Sequence, residues 1–289
     1  MPVPAISFEV FPPRSIDASF QLWDTAQALA PLGPRFFSVT YGAGGAERDL
    51  THDAAYTLRR SSGLPVAAHL TCVGASKSQT MATAHRFAKA GVTDIVALRG
   101  DPPKGNDHFA AHPDGFANSC DLISALADTG QFTLRVGAYP DVHPEAPDAK
   151  ANIDWLKAKI DAGADEAITQ FFFEADRFLR FRDACAAAGI TAPITPGILP
   201  VSNWKNARKF AIKCGAQVPG WLDAAFDTAL RDNRHDLLAT ALCTELCSDL
   251  IDEGVDALHF YTLNRPDLTR EVCHALGITQ TASAVSNVA

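Results

Sequence analysis

Eight short apolar runs recur along the chain, and the segments between them space their apolar residues three to four positions apart, as in an amphipathic helix. The runs cover residues 5–11, 36–41, 65–72, 94–99, 134–139, 167–173, 194–199 and 257–263. Buried strands that alternate with helices are typical of right-handed βαβ units and a parallel sheet. The pattern therefore predicts an α/β fold, an eight-stranded parallel (βα)8 TIM barrel.

Helices are expected between and after these strands, at residues 17–30, 48–62, 76–90, 119–128, 147–162, 175–188, 203–213, 233–252 and 267–276. One helix is surplus to the eight repeats, so we expect an extra helix between strands seven and eight, at or beside residues 219–230. Glycines that commonly end helices follow the periodic segments at Gly63, Gly91, Gly163, Gly189, Gly254 and Gly277. We expect a single domain over residues 1–278 and a frayed tail at 279–289.

Polar side chains stand near the carboxyl ends of the predicted strands. They are Glu9, Thr40, His69, Arg99, Asp101, Tyr139, His143, Gln170 and Arg265. The C-terminal strand ends of a parallel barrel form one face, and active sites are built there. These residues, although scattered in sequence, are therefore expected to meet.

Composition narrows the class of protein. With 47% hydrophobic residues in 289, the chain can bury a large core without a disulfide or a metal. A formal charge of -8 leaves no long basic patch, which argues against nucleic acid as the main partner. Seven spread cysteines without a Cys-x-x-Cys pair indicate reduced thiols in a cytoplasmic protein. We expect no metal site, no signal peptide and no membrane span.

Glu9 lies among apolar residues in the segment SFEVFPPR, residues 7–14. A carboxylate in such surroundings needs a partner or a raised pKa. Glu9 is therefore a candidate general acid. The alternative is a structural ion pair with Arg14 or Arg99.

Two further strand ends carry glycine. The segment TYGAGG, residues 40–45, would let a ligand approach the backbone, or it is a plain tight turn. In ALRGDPP, residues 97–103, Arg99 and Asp101 suit a phosphate and a polar heterocycle edge, or they pair with each other. The long loop 101–115 after this strand is either a lid or a disordered spacer.

Two motifs follow strands five and six. In AYPDVHPEA, residues 138–146, an aromatic ring, an imidazole and carboxylates share one loop, which suits contact with a cofactor better than a metal site. In ITQFFF, residues 168–173, Gln170 stands in an apolar strand. Its amide needs donors and acceptors, which a ligand would supply or, alternatively, the core itself.

Together with HLTC at 69–72, PGILPVSN at 196–203 and HFYTLNR at 259–265, these motifs resemble the bacterial methylenetetrahydrofolate reductases in their short form, the catalytic barrel alone. The resemblance runs from Ser7 to about Gly277. It implies a homo-oligomeric flavoprotein in which NADH or NADPH reduces FAD. The flavin then passes hydride to 5,10-methylenetetrahydrofolate in a ping-pong cycle.

The resemblance also implies residue roles. Glu9 looks like the general acid that protonates N10 of the folate, and Asp101 looks like a catalytic residue beside the flavin. The implied cofactor contacts are Thr40, Tyr41, His69, Arg99, Gly100, Asp101, Tyr139, His143, Asn152 and Lys159. The implied substrate contacts are Glu9, Gln170, Phe210 and Arg265.

The helix after His143 departs from the family pattern. Where that pattern has an Asp, an Asn and an Arg-Lys pair toward the FAD ribose and diphosphate, this chain has Asn152, Trp155, Ala158 and Lys159. Only the lysine matches, so fewer charge-assisted hydrogen bonds would hold FAD. Two alternatives therefore stay open, which are direct hydride transfer from the nicotinamide to the same folate and a non-catalytic folate-binding barrel. Glu9 counts against the second, since binding alone needs no acid.

Overall fold

The structure, a computed structural model, describes residues 3–41, 48–102 and 109–279. Its strands are β1 (Ala5–Val10), β2 (Phe37–Val39), β3 (Val66–Thr71), β4 (Asp94–Leu98), β5 (Thr133–Ala138), β6 (Glu166–Thr169), β7 (Ile194–Thr195), β8 (Gly197–Ile198) and β9 (Ala257–Tyr261). They form one parallel sheet in the order β7-β6-β5-β4-β3-β2-β1-β9-β8. The predicted parallel α/β barrel is confirmed.

Strand seven closes the barrel in two pieces, which is why nine strands stand for the eight predicted. Ile194 and Thr195 pair with β6, whereas Gly197 and Ile198 pair with β9. Between them stands Pro196, which has no backbone N–H to donate to a ladder. Its carbonyl accepts the amide of His259 at 3.0 Å. The strand thus changes partner at the proline.

The helices cover the outside of the sheet. They are α1 (Ile16–Leu29), α2 (Arg48–Ser62), α3 (Lys77–Lys89), α4 (Ser119–Ala127), α5 (Ala149–Asp161), α6 (Ala175–Ala187), α7 (Trp204–Lys213), α8 (Gly220–Arg231), α9 (His235–Asp252) and α10 (Pro266–Ala275). Three of them, α7 to α9, lie between strand seven and β9, and α8 occupies the predicted insertion. All six predicted helix-ending glycines have positive φ.

Several predicted strands run too long at their carboxyl ends. Residues 170–173 follow β6 rather than belonging to it, and Leu263 lies two residues beyond β9 with φ +51°. The Gln170 amide still donates to the Ala138 carbonyl at 2.7 Å, but the regular ladder of β6 ends at Thr169. Gln170 is therefore a loop residue at the mouth, not a strand residue.

The core has two parts. Outward-facing residues of the strands, such as Ile6, Phe8 and Val10, pack beneath the helices in the main apolar cluster. Inside the barrel, a small cluster of Phe36, Ala67, Val96 and Ile168 fills the middle. The barrel is thus a packed core, and ligands reach only its ends.

The amino ends of the strands are closed by buried charges. Glu166 accepts hydrogen bonds from Arg135 Nε at 2.9 Å, Arg35 Nη2 at 3.1 Å and Thr195 Oγ1 at 2.6 Å, and Arg135 also pairs with Asp94. The Arg135 guanidinium lies 4.0 Å from the centroid of the Phe36 ring. Although burial opposes ionisation, the Thr195 hydrogen bond and the two arginines lower the pKa of Glu166. This end is built for stability.

Candidate active site

A cavity of about 670 Å³ opens at the carboxyl ends of β3, β4 and β5. Its size falls within the range of small-molecule sites. Of the ten predicted cofactor residues, eight line it: Tyr41, Arg99, Gly100, Asp101, Tyr139, His143, Asn152 and Lys159. The strand ends and one face of α5 therefore bring these distant residues together.

Arg99 and Asp101 flank a turn that only glycine can make. Gly100 has φ +90°, and a Cβ there would lie 2.7 Å from Val73 Cγ1. Arg99 then pairs with Glu145, through its Nη2 at 2.9 Å and also through its Nη1, and its guanidinium lies 5.0 Å from the centroid of Phe109. The expectation that Arg99 pairs with Asp101 or with Glu9 is wrong, because Glu145 reaches over from the next loop.

The loop after β5 is held in place by the first turns of α5. Asp148 caps that helix by accepting the amide of Ala151 at 2.8 Å. Asn152, one turn on, donates to the Tyr139 carbonyl at 2.9 Å and accepts the His143 amide at 3.3 Å. The Tyr139 and His143 rings meet edge to face with centroids 4.5 Å apart. Asn152 thus acts on the cavity wall through the loop backbone.

Lys159 supplies a cation from the wall of the cavity. Its Nζ donates to the Gly137 carbonyl at 2.7 Å. Burial lowers the pKa of Lys159 to about 8, and the positive charge of Arg99 acts in the same direction. A buried ammonium beside an arginine favours an anionic ligand, since a nearby negative charge offsets the cost of desolvation.

Glu9, on β1, lies at the barrel mouth beside His69 of β3. Its Oε2 is 3.4 Å from His69 Nε2, and both side chains are mostly buried, 15% and 11% exposed. Burial raises the pKa of Glu9 to about 8 and lowers that of His69 to about 4. At neutral pH the contact therefore joins a protonated acid and a neutral imidazole, not two ions. The predicted alternative of an ion pair with Arg99 fails.

A second buried histidine lies below this pair. His259 Nδ1 is 2.7 Å from Ser7 Oγ, and its Nε2 is 3.5 Å from Ser38 Oγ. Burial lowers the pKa of His259 to about 3, with His69 and the arginines at the barrel floor contributing. His259, Ser7 and Ser38 thus place neutral polar groups beneath Glu9, and burial keeps the acid protonated.

The predicted substrate residues line a different part of the mouth. Gln170 follows β6, and its Oε1 accepts the amide of Phe171 at 3.0 Å. Phe210, on α7, is 44% exposed and stacks on Phe171 with centroids 5.5 Å apart. Arg265 precedes α10 and reaches Ser202 Oγ at 3.4 Å. None of these side chains lines the cavity at β3 to β5.

The other predicted residues and segments have different outcomes. Thr40 does not line the cavity, and its carbonyl accepts the hydroxyl of Thr51 at 3.0 Å. His69 is absent from the lining too and faces Glu9 instead. The glycines at 42–45, residues 103–108 of the predicted lid or spacer, and the tail beyond residue 279 lie outside the described residues.

The residues of α5 that depart from the family pattern differ in their position relative to the cavity. Trp155 lines the cavity and is 52% exposed, so its ring is available to a ligand. Ala158 is exposed on α5 and does not line the cavity. Lys159 is consequently the cation that α5 contributes to this wall.

Two residues of the site were not singled out from sequence. Glu145 lies within the motif AYPDVHPEA, but nothing in the sequence pairs it with Arg99. Tyr261 lies within HFYTLNR, and its hydroxyl donates to the Thr169 carbonyl at 2.6 Å. The two-residue alternation along β9 could have indicated Tyr261, because it shares the inward face with His259.

Other kinds of site are not evident in the described residues. Among residues 3–41, 48–102 and 109–279, no group of three or more His, Cys, Asp or Glu side chains could hold a metal ion. The seven cysteines are free thiols. Within the same ranges, no helix has both the length and the apolar composition that crossing a membrane requires.

Comparison with known proteins agrees with this geometry. The family model for methylenetetrahydrofolate reductase matches residues 2–277. A 5,10-methylenetetrahydrofolate reductase of Pectobacterium carotovorum subsp. carotovorum is 46% identical over 274 residues, 94% of this chain and 90% of that protein. The corresponding enzyme of Escherichia coli strain K12 is 43% identical over the same shares.

A solved structure supports the fold independently. A Clostridium thermocellum protein that binds two copies of 5-methyl-5,6,7,8-tetrahydrofolic acid superposes with a TM-score of 0.63, covering 95% of this chain and 94% of that one. At 13% identity, this likeness bears on the fold alone. Because the family match spans residues 2–277 and both bacterial relatives align over 94% of the chain, the chain belongs to the methylenetetrahydrofolate reductase family, which reduces methylenetetrahydrofolate to methyltetrahydrofolate.

Proposed function

We propose that the protein is an FAD-dependent reductase that makes 5-methyltetrahydrofolate from 5,10-methylenetetrahydrofolate with NADH or NADPH, and that Glu9 is its general acid. One observation carries the proposal. In a chain of this family, a carboxyl group at the barrel mouth holds its proton at neutral pH, because burial raises its pKa to about 8. Binding alone gives no reason for a buried acid, whereas opening the folate's five-membered ring requires a proton.

Glu9 would donate its proton to N10 of the folate. The protonated N10 leaves with the electron pair of the broken C–N10 bond, while the lone pair of N5 forms the C=N bond of an iminium. The iminium carbon would then accept a hydride. His69, neutral above a pKa of about 4, stands 3.4 Å from the acid and suits the role of a hydrogen-bond donor. An Nε2–H that donates to the carbonyl oxygen of the carboxyl group would orient it and leave its O–H proton free for N10. Such proton donation contributes about 10²- to 10⁴-fold to rate.

The cavity fits an anionic, partly aromatic cofactor. Lys159 and Arg99 offer positive charge, Trp155 and Tyr139 offer ring faces, and Asp101, also on the lining, offers an acceptor for polar N–H groups. These residues would hold FAD, with the lysine and arginine toward its diphosphate. FAD, when bound, supplies the hydride chemistry between the nicotinamide and the folate.

The second part of the mouth suits the folate. Phe210 exposes a ring, Gln170 offers an amide with both donor and acceptor, and Arg265 offers a guanidinium for a carboxylate. These three chemistries match an aromatic linker, a pterin edge and a glutamate tail. Asp101 faces the cofactor part, so the pterin and the flavin would meet between Asp101 and Glu9.

The experiment is an anaerobic titration of the purified protein with FAD, NADH and then methylenetetrahydrofolate. We expect the flavin absorbance to bleach on addition of NADH and to return as methyltetrahydrofolate forms. Flavin that bleaches but does not reoxidise with folate would contradict the proposed substrate. Methyltetrahydrofolate detected by chromatography is the independent readout.

Direct hydride transfer from the nicotinamide to the folate is the second candidate. It is favoured by Ala158, which leaves Lys159 as the cation of α5 at the cavity wall, and by Glu145, which already occupies Arg99. In that case methyltetrahydrofolate would form from NADH and folate without any flavin, and added FAD would neither bind nor accelerate the reaction.

The remaining expectations accompany this proposal. Seven free cysteines suit the reducing cytoplasm, which is the proposed location. The choice between NADH and NADPH is left to the titration, run with each nucleotide. The homo-oligomeric state stays a prediction, for which sedimentation of the purified protein is the measurement.

A further inference from the structure

The bend in strand seven leaves a gap in the barrel wall beside the substrate residues. The ladder between β6 and strand seven ends at the pair Ile168 and Thr195. Beyond it, the Gly197 amide donates to the Thr169 side chain, Oγ1 at 2.9 Å, rather than to a backbone carbonyl. The buried Thr169 carbonyl therefore needs another donor.

Tyr261 supplies that donor from across strand seven. Its hydroxyl donates to the Thr169 carbonyl at 2.6 Å, and the ring lies over Gly197. A Cβ at Gly197 would stand 2.5 Å from ring carbon Cε2 of Tyr261 and would also collide with the Thr169 carbonyl oxygen. The missing side chain at position 197 is thus a requirement of this hydrogen bond.

Tyr261 stands between Glu9 on one side and the segment that carries Gln170 and Phe171 on the other. In the β1–β9 register its partner is Glu9. Thr169, at the other end of the hydrogen bond, directly precedes Gln170, and the Tyr261 ring also meets Phe171 edge to face with centroids 6.4 Å apart. Phe171 in turn supports Phe210.

We propose that Tyr261 is a positioning residue that sets the distance between the acid Glu9 and the folate held by Gln170 and Phe210. The inference rests on the proposed function. Its physical basis is a single rigid phenol that ties the β6 end, and with it the folate wall, to the strand beside the acid. Without the hydroxyl, the Thr169 carbonyl loses its donor and the wall shifts away from Glu9.

The test is steady-state kinetics of the FAD-loaded protein, with methylenetetrahydrofolate varied and NADH saturating. Tyr261→Phe keeps the ring and removes the hydroxyl alone. We expect kcat to fall about 10- to 100-fold, since a displacement near 1 Å costs up to about 100-fold. KM for folate and the Kd for methyltetrahydrofolate should change less than about threefold, because the folate moves with its wall.

Two further variants separate positioning from general damage. Tyr56→Phe removes a hydroxyl that accepts from Arg60 at 2.9 Å on the exposed surface of α2, and should leave kcat unchanged. Gly197→Ala should reproduce the fall in kcat by expelling the phenol. The double variant Gly197→Ala with Tyr261→Phe should be no slower than Gly197→Ala alone, since both changes remove one hydrogen bond.

Three results would overturn the inference. Unchanged kcat in Tyr261→Phe would leave the hydroxyl without a role in catalysis. A raised folate Kd with normal kcat would make Tyr261 a binding residue instead. If the unaltered chain and both variants fold normally but the unaltered chain does not reduce methylenetetrahydrofolate, the proposed function is refuted, and with it the role of Tyr261.

Discussion

At the scale of residues, the barrel mouth keeps one carboxyl group, that of Glu9, neutral. Water is largely excluded from Glu9, and its neighbour His69 carries no charge at neutral pH, so nothing repays the cost of ionising the acid. The desolvation that raises the pKa of Glu9 to about 8 also brings it near working pH. A general acid is most effective there, because it is protonated and yet gives up its proton readily.

The pH profile of turnover follows from this value. A raised pKa leaves Glu9 protonated below about 8, so the folate half of the reaction should be constant below that pH and fall about tenfold per unit above it. Stopped-flow reoxidation of the reduced flavin by folate, from pH 5.5 to 9.5, measures the step directly. Glu9→Gln, which cannot titrate, is the control and should lack the alkaline fall. A rate that falls about tenfold per unit across the whole range, as the ordinary glutamate pKa of 4.5 would give, would contradict a pKa raised by burial.

At the scale of elements, α5 decides how firmly the cofactor part of the site binds an anion. The helix presents Asn152, Trp155 and Lys159 to the cavity at helical spacing, while Ala158 stands beside them without charge. The Asn152 side chain is hydrogen-bonded to the backbone of Tyr139 and His143. In the proposed function, recognition of the FAD diphosphate would therefore depend on Lys159 and on Arg99, which Glu145 partly neutralises.

An added arginine should strengthen this recognition. Ala158→Arg places a guanidinium next to Lys159, and we expect FAD to bind about 5- to 20-fold more tightly, the gain typical of one charge-assisted hydrogen bond. Quenching of flavin fluorescence gives the Kd. Ala186→Arg, on α6 away from the cavity, adds the same charge and should leave the Kd unchanged. Equal tightening by both variants would indicate long-range charge alone.

At the scale of the whole molecule, the two ends of the barrel do different work. The amino end is closed by Glu166, Arg135, Arg35 and Asp94, whose charges are paired and hydrogen-bonded. The carboxyl end keeps an uncompensated acid and an open cavity. Stability and chemistry are thus separated along the barrel axis, as in other α/β barrels.

Removing one partner of the ion pairs among Glu166, Arg135, Arg35 and Asp94 should lower stability and leave the candidate active site unchanged. Glu166→Ala leaves Arg135 buried with one fewer anion, and we expect about 3–5 kcal/mol lower free energy of unfolding. Urea denaturation followed by circular dichroism measures it. Asp161→Ala breaks an exposed pair with Lys157 and should cost less than about 1 kcal/mol. Similar losses in the two variants, or an altered alkaline limb of turnover in Glu166→Ala, would contradict the separation.

The sequence predicted the barrel well because its signals are local. Apolar runs, helical periodicity and helix-ending glycines each depend on residues close in the chain, and the strand ends then place Arg99, Asp101 and Tyr139 together. Pairings between distant loops are different. Glu145 meets Arg99 and His69 meets Glu9 because the order of strands in the sheet places β5 beside β4 and β3 near β1. No spacing rule relates residues so far apart in sequence.

Strand seven illustrates the same limit within one element. Its apolar run predicted a strand, but the change of partner at Pro196 arises from the missing N–H and from the geometry of both neighbours. That bend brings the Tyr261 ring against Gly197. No local pattern in the sequence relates these two residues, so their contact could be found only in the structure.

The most direct test of the account is a single-turnover measurement of methyltetrahydrofolate formation by the reduced protein, unaltered and as Glu9→Gln. We predict rapid product formation by the unaltered chain and a rate about 10²- to 10⁴-fold lower in the variant, with folate binding retained. Equal rates in the two proteins, or no methyltetrahydrofolate from the unaltered one, would contradict the assignment of Glu9 as the general acid of this reductase.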